Sequence, residues 1–219
     1  NPLRVNELRD LSKLYQKVKK QLTAYKSMLK DQINIIFPEL EYLMSSANNQ
    51  GISSLLLQHP TPRQISQISH EEILEAMTKS MKKGSGDFKI EKAIKIKELA
   101  SNSIGDSSYP ITYFKYTIET MRYFLKLKKQ MKKSLDDALS QTPYYRLTDN
   151  FGFNTIGLST IVGEIGDVRR FANYKKFASY CVFGIYENKS GTSVNKSSRL
   201  DKRGNKLLRF TFYTLTLTQ

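Results

Sequence analysis

Leu8, Leu11, Tyr15, Val18, Leu22, Tyr25, Leu29 and Ile36 recur three and four residues apart, with only Gln32 interrupting the register. Apolar side chains at that spacing line one face of an α-helix, so the spacing predicts one long helix with a heptad seam. Pro38 ends it, because proline cannot donate the helical hydrogen bond and its ring clashes with the preceding turn. A second seam, Ile111, Phe114, Ile118, Met121, Leu125, Leu135 and Leu139, follows Tyr109-Pro110, which suits a helix start. The two long helices are expected to pair with each other or across a dimer.

A helical insert separates them. His59-Pro-Thr-Pro62 reads as a turn, Ser69-His-Glu-Glu72 as a helix N-cap with carboxylates in its first turn, and Gly84-Ser-Gly86 as a break before a helix from about Phe88 to Ala100. Glu71, Glu72 and Glu75 are read as a solvated helix face serving the helix dipole rather than as a metal site. The single cysteine, Cys181, excludes a disulfide framework, and its apolar neighbours suggest a small core residue. With His59 and His70 as the two histidines, the ligands for a structural zinc are too few.

The 219 residues carry 35 Lys and Arg against 20 Asp and Glu, a formal net charge of +15. Such a surface favours a polyanionic partner, because neutralised phosphates release their counterions. Nucleic acid leads, and the apolar runs fall far short of the roughly 20 residues of a membrane span. The chain opens on Asn1-Pro2 without a start methionine or signal peptide, so it reads as the middle of a longer protein. From Val168 onward eleven basic residues face two acids, Glu187 and Asp201, which concentrates the positive charge in a C-terminal module.

Three segments in that half carry chemistry. Asn150-Phe-Gly-Phe-Asn154 reads as a tight turn before a helix rich in small residues, Ile156–Ile165. Gly152 would allow a close backbone approach, and the helix N-terminus would offer free N–H groups to a phosphate; an ordinary helix corner fits the same residues. Ser190-Gly191 lies between Lys189 and Lys196. A serine among cations suits attack on a phosphodiester, whereas a plain loop fits equally, since no histidine lies close in sequence to act as a base. Arg199, Lys202, Arg203, Lys206 and Arg209 recur three and four apart, as one basic helical stripe for a nucleic-acid backbone or as a solvated helix face.

In order and spacing these elements resemble the C-terminal part of the bacterial insertion-sequence transposases of the one-hundred-and-ten family, relatives of the Piv-type site-specific invertases. The family motif I-P-G-I-G-P-x-T-A-x-x-L-L-A-E-I-G-D is matched along its length by residues 150–167, most strongly at Glu164-Ile-Gly-Asp167. The family's R/S-F-x-x-x-K-x-x-A-x-Y is matched by Arg170-Phe171 through Lys175, Lys176, Ala178 and Tyr180. Its S-G coincides with Ser190-Gly191, and its S/K-R-G-N-x-x-L-R with Lys202-Arg-Gly-Asn-Lys-Leu-Leu-Arg209.

The resemblance implies a mainly α protein: a coiled-coil, dimerising arm over residues 1–142, then a small helical domain over 143–219 with a helix-hairpin-helix-like motif. It implies that Ser190 is a nucleophile forming a covalent link to DNA, with Gly152, Phe153, Asn154, Lys189, Gly191, Lys196, Arg199, Lys202, Arg203, Asn205, Lys206 and Arg209 holding the strands. It further implies a preceding RuvC-like domain whose four acidic residues bind Mg2+, a structured RNA encoded by the element, a homodimer or higher oligomer, and a bacterial, nucleoid-associated cytoplasmic location. No cofactor is expected in this chain itself, and without the acidic domain it is expected to be inactive alone. Asn154 replaces the second hairpin glycine and is expected to take over its left-handed conformation. Val182 and Ile185 stand where the family usually has Gly and Pro, and the chain stops at Gln219 where the family continues.

Overall fold

The first heptad seam folds as one helix, α1 (Pro2–Ile36), followed after Phe37 by a 3₁₀ helix at Pro38–Leu43. The computed structural model describes residues 2–43, 50–78, 86–106, 108–151, 153–181, 185–186, 199–200 and 205–217. Four insert helices follow: α2 (Gln50–Gln58), α3 (Pro62–Gln67), α4 (His70–Thr78) and α5 (Gly86–Ser101). The second seam forms α6 (Ile111–Ser140). Short helices α7 (Leu147–Phe151), α8 (Thr155–Ile165) and α9 (Tyr174–Tyr180) come next. Two two-residue strands, β1 (Ile185–Tyr186) and β2 (Arg199–Leu200), precede α10 (Lys206–Thr216). The fold is mainly α, and no helix among the described residues is long and apolar enough to cross a membrane.

The chain forms two compact units, Val18–Leu127 and the combination of Asn1–Lys17 with Lys128–Gln219. The cut therefore falls within both long helices, because these units are defined by contacts between segments far apart in the chain.

In Val18–Leu127 the two seams pair with each other in antiparallel directions: the Tyr25 and Phe124 rings lie 5.6 Å apart, and the Tyr113 hydroxyl donates to Met28 Sδ at 3.2 Å. Leu22, Leu29, Ile33 and Ile36 from α1 share one buried cluster with Phe114, Ile118 and Met121 from α6 and with Ile52, Ile65, Ile73 and Ile96 from the insert. The insert thus fills the seams from within the unit. Gln32 is also buried, only 2 % exposed, and neither polar atom of its side chain finds a partner among the described residues.

Local signals in the insert behave as the sequence predicts. The Ser69 amide donates to Glu72 Oε2 at 2.7 Å and the Glu72 amide to Ser69 Oγ at 3.1 Å, a reciprocal capping box that starts α4. Thr61 caps α3, with Pro62 at its start, where a missing N–H costs nothing. Glu71, Glu72 and Glu75 are exposed.

In the second unit α8 is buried on nearly all sides because its small residues admit its neighbours. A Cβ on Gly157 would stand 3.1 Å from Leu215 of α10, the Ser159 hydroxyl donates to the Leu135 carbonyl of α6 at 3.4 Å, and Gly163 lies against Leu8 and Arg9 of α1. Ile165, Cys181 and Leu208 join α8, the end of α9 and α10 in a small core, with Phe171, Phe177 and Phe212 packed around it. Cys181 is the buried thiol expected from its neighbours, and burial pushes its pKa up.

Candidate nucleic-acid interface

Helices α7 and α8, with Phe153 and Asn154 before α8, hold the described part of the segment read as a phosphate-binding turn. Gly152 lies outside the described residues. Asn154 does not adopt the left-handed conformation expected of a glycine replacement: at φ −70° and ψ 144° it is extended and serves as the N-cap of α8, its Oδ1 accepting from the Gly157 amide at 2.8 Å. The helix end thus satisfies one of its free N–H groups from its own sequence. Phe153 is half-buried and lines an apolar cleft of about 210 Å³ with Tyr144, Leu158, Phe177 and Phe212.

The far end of α8 is built with equal economy. Gly166 ends the helix at φ 70° and ψ −124°, a region open essentially to glycine, and donates to the Val162 carbonyl at 2.8 Å. Asp167 then caps the 3₁₀ turn Val168–Arg170 and receives the Arg169 guanidinium in a forked pair, Nε at 3.0 Å and the terminal nitrogen at 2.8 Å. These hydrogen bonds from the Arg169 side chain and amide, with the attraction of its charge, hold the Asp167 carboxyl down at about 2. The Arg170 guanidinium lies 4.6 Å from the Phe171 ring centre and 4.7 Å from that of Tyr180. Two aromatic faces thereby hold an exposed cation in place. Tyr174, Lys175 and Lys176 are exposed on α9 beside it.

Glu164 is the least expected member of the region. It sits in the apolar stretch Ile161–Ile165 of α8 and is only 7 % exposed. Its Oε2 receives a short hydrogen bond from Asn205 Nδ2, and the Lys13 ammonium lies 3.4 Å from Oε1. Its backbone carbonyl accepts from the Tyr180 hydroxyl at 3.0 Å. One residue of α8 therefore ties together α1, the end of α9 and the start of α10. Nothing in the local sequence assigns it this role, although a lone carboxylate in an apolar helix is a signal that a polar partner must exist.

The basic stripe does not form as one helix. Arg199 belongs to β2, where it pairs opposite Tyr186, and α10 begins only at Lys206. Asn205, at φ −74° and ψ 97°, is the N-cap, and its Oδ1 accepts from the Leu207 and Leu208 amides at 3.0 and 3.1 Å. A non-helical cap interrupts any continuous stripe from Arg199 to Arg209. Of the expected strand-holding residues, Lys206 is exposed and Arg209 half-buried on α10, while both ends of the Asn205 amide are spent within the chain. Ser190, Lys189, Gly191, Lys196, Lys202 and Arg203 lie outside the described residues. Among the described residues no group of three or more His, Cys, Asp or Glu side chains converges that could hold a metal ion.

Residues 144–219 match the family model for the Transposase IS116/IS110/IS902 family. No curated protein matches the chain. The match covers 76 of the 219 residues, so the likeness is to this family over the C-terminal part of the chain alone. It begins at Tyr144, at the turn leading into α7, and runs through α8, α9, both strands and α10.

Proposed function

We propose that the C-terminal region is the DNA-binding and strand-transfer part of an IS110-family transposase, with Ser190 as the nucleophile. The observation that carries this reading is the family match over residues 144–219, a span that includes Ser190-Gly191. In the proposed step the Ser190 Oγ gives up its proton and attacks a DNA phosphodiester. An Oγ–P bond forms while the bond from phosphorus to one deoxyribose oxygen breaks, and that oxygen leaves as a strand-end hydroxyl after taking up a proton. The hydroxyl of the new partner strand then displaces serine, restoring Ser190 and a phosphodiester, so one bond of the same kind is exchanged for another. Lys175, Lys176 and Lys206, exposed on α9 and α10, supply phosphate contacts.

The wider assembly belongs to the same proposal. Mg2+ is supplied by a separate acidic domain, an RNA encoded by the element selects the DNA partners, and the protein works in the bacterial nucleoid. Self-association uses faces other than the heptad seams of Val18–Leu127, since the insert already occupies them.

The test is an SDS-resistant protein–DNA adduct formed by the full-length protein with Mg2+, the element-encoded RNA and labelled element-end DNA. The adduct is expected with the natural protein and absent with Ser190→Ala, with DNA affinity retained. An adduct that persists in Ser190→Ala overturns the nucleophile. Binding without an adduct in either protein favours the second reading, a noncatalytic nucleic-acid-binding module, for which the exposed cations of α9 and α10 suffice. Replacing Lys206 and Arg209 would then weaken binding and lower its salt dependence.

A further inference from the structure

We infer that Arg170, with the outer face of α9, forms a stacking shelf for single-stranded DNA: an unpaired base lies on the Arg170 guanidinium, and Lys176 holds a neighbouring phosphate. This deepens the reading of the C-terminal region as DNA-binding, on which it rests, and is independent of Ser190. The Arg170 guanidinium lies 4.6 Å from the Phe171 ring centre and 4.7 Å from that of Tyr180, while the two ring centres stand only 5.2 Å apart. Rings on opposite sides of the guanidinium would stand almost twice as far from each other. Both therefore lie on one side of the cation, and its other side faces outward, in keeping with the exposure of Arg170.

Both rings are held from below. Phe171 packs edge-on against Phe177, their centres 5.5 Å apart, over the small core of Ile165, Cys181 and Leu208. Tyr180 is pinned through its hydroxyl, which donates to the Glu164 carbonyl at 3.0 Å. A guanidinium stacked on fixed rings has already given up much of the rotamer freedom that binding would otherwise remove. Its charge is also unspent: Arg169 is forked onto Asp167, whereas Arg170 has no acidic partner among the described residues. Lys176 precedes Tyr180 by one helical turn, so the two stand on the same face of α9, and both are exposed.

That combination selects among polyanions. Lysines alone hold the phosphates of a duplex and of a single strand alike. A flat cation with an open face adds a contact that only an unpaired base can use, because paired bases are stacked on one another inside the duplex. Arginine suits this and lysine does not, since the guanidinium is planar and stacks whereas the ammonium is a point charge. The whole shelf lies within residues 144–219, the span that matches the transposase family, and the proposed strand transfer frees DNA ends there. Single-stranded DNA is therefore the occupant.

The test measures the Kd of the 219-residue chain for a short oligo(dT), a mixed-sequence duplex of equal length and an oligo(rU), each over a range of salt. Arg170→Lys keeps the charge and removes the plate. Its affinity for oligo(dT) is expected to fall about fivefold to fiftyfold while the duplex Kd stays within about twofold. Lys176→Ala is expected to weaken both and to lower the salt dependence of each by about one phosphate contact. Tyr174→Ala removes an exposed ring from another face of α9 and is expected to change neither. A strand carrying 5-iodouracil should photocrosslink within residues 170–180, and much less in Arg170→Lys.

Equal losses on oligo(dT) and duplex in Arg170→Lys, or none on either, overturn the shelf and leave DNA binding by the region standing. A loss in Tyr174→Ala as large as in Arg170→Lys, or a crosslink outside residues 170–180, overturns it as well. Oligo(rU) bound more than about tenfold tighter than oligo(dT) overturns DNA as the occupant. Binding to none of the three probes overturns the DNA-binding reading itself, and the shelf with it. Should Arg170→Lys fail to fold, Arg170→Ala decides the same question, a larger loss on oligo(dT) than on the duplex being the expected result.

Discussion

Gly163 and Arg9 touch backbone to backbone. A Cβ on Gly163 would fall 2.5 Å from the Arg9 amide nitrogen, and the Arg9 Nε donates to the Gly163 carbonyl at 2.9 Å. Helix α8 can approach α1 this closely only because position 163 has no side chain. Gly163→Ala is therefore expected to destabilise the protein by about 1–3 kcal/mol, since neither main chain can yield as a side chain would. Gly157→Ala should cost less, because its Cβ would meet the movable side chains of Leu215 and Asn154 at 3.1 and 3.2 Å. Urea unfolding of the two variants checks the order; a Gly163→Ala midpoint equal to the natural one contradicts the close approach.

Gln32 offers the opposite experiment. It occupies the one break in the first seam, is buried, and has no partner among the described residues for either side-chain polar atom. Gln32→Leu removes two unmet hydrogen-bonding groups and restores the apolar register, so it is expected to stabilise the protein by about 1–3 kcal/mol. A lower urea midpoint in the variant would mean that the amide has a partner.

Asp167 sets a pH dependence with a definite sign. Its carboxyl titrates at about 2 in the folded protein because Arg169 donates to it from both side chain and amide, against an ordinary value of 3.8. A depressed folded value means that the pair's contribution is fully present above the unfolded value. It is lost as pH falls through the interval from about 4 to about 2. The stability difference between the natural protein and Asp167→Asn should be constant near neutrality and shrink through that interval. Denaturant midpoints between pH 2 and pH 6 measure it, and a difference that does not shrink rules out the shift. The pair is solvent-exposed, so the difference should also diminish with added salt.

Cys181 should be chemically quiet. Its side chain is fully buried with Ile165 and Leu208, and burial raises its pKa, so little thiolate is present and access is poor. Reaction with a thiol reagent at pH 8 is expected to be slow in the folded protein and rapid in urea, in proportion to unfolding. Fast labelling under native conditions would mean that the contact among α8, α9 and α10 opens readily.

Much of the fold was legible because its signals are local. The three-and-four spacing of Leu8 to Ile36 and of Ile111 to Leu139 appears as α1 and α6, Pro38 ends the first, and Ser69 with Glu72 forms the box that opens α4. The site was less legible. Asn154 and Asn205 are expected to hold nucleic acid, and the structure adds that each is a helix cap whose side-chain oxygen accepts from its own helix. The stripe from Arg199 to Arg209 fails for a related reason: equal spacing implies one face only if every residue between is helical, and Asn205 is not.

By itself the sequence determined the helices, their caps and stops, the positive charge of the C-terminal half, and the order of motifs that the family model matches over residues 144–219. Each follows from interactions among residues a few positions apart or from charges that need no fold to be counted. Only the tertiary structure decided that the parts of the heptad seams within Val18–Leu127 are filled by α2 to α5, that Gly163 is the contact for Arg9, and that Glu164 joins Lys13, Tyr180 and Asn205. Those partners lie tens of residues apart or more, and what brings them together is the burial of small-residue and apolar faces, which alone turns an isolated carboxylate in α8 into a shared anchor.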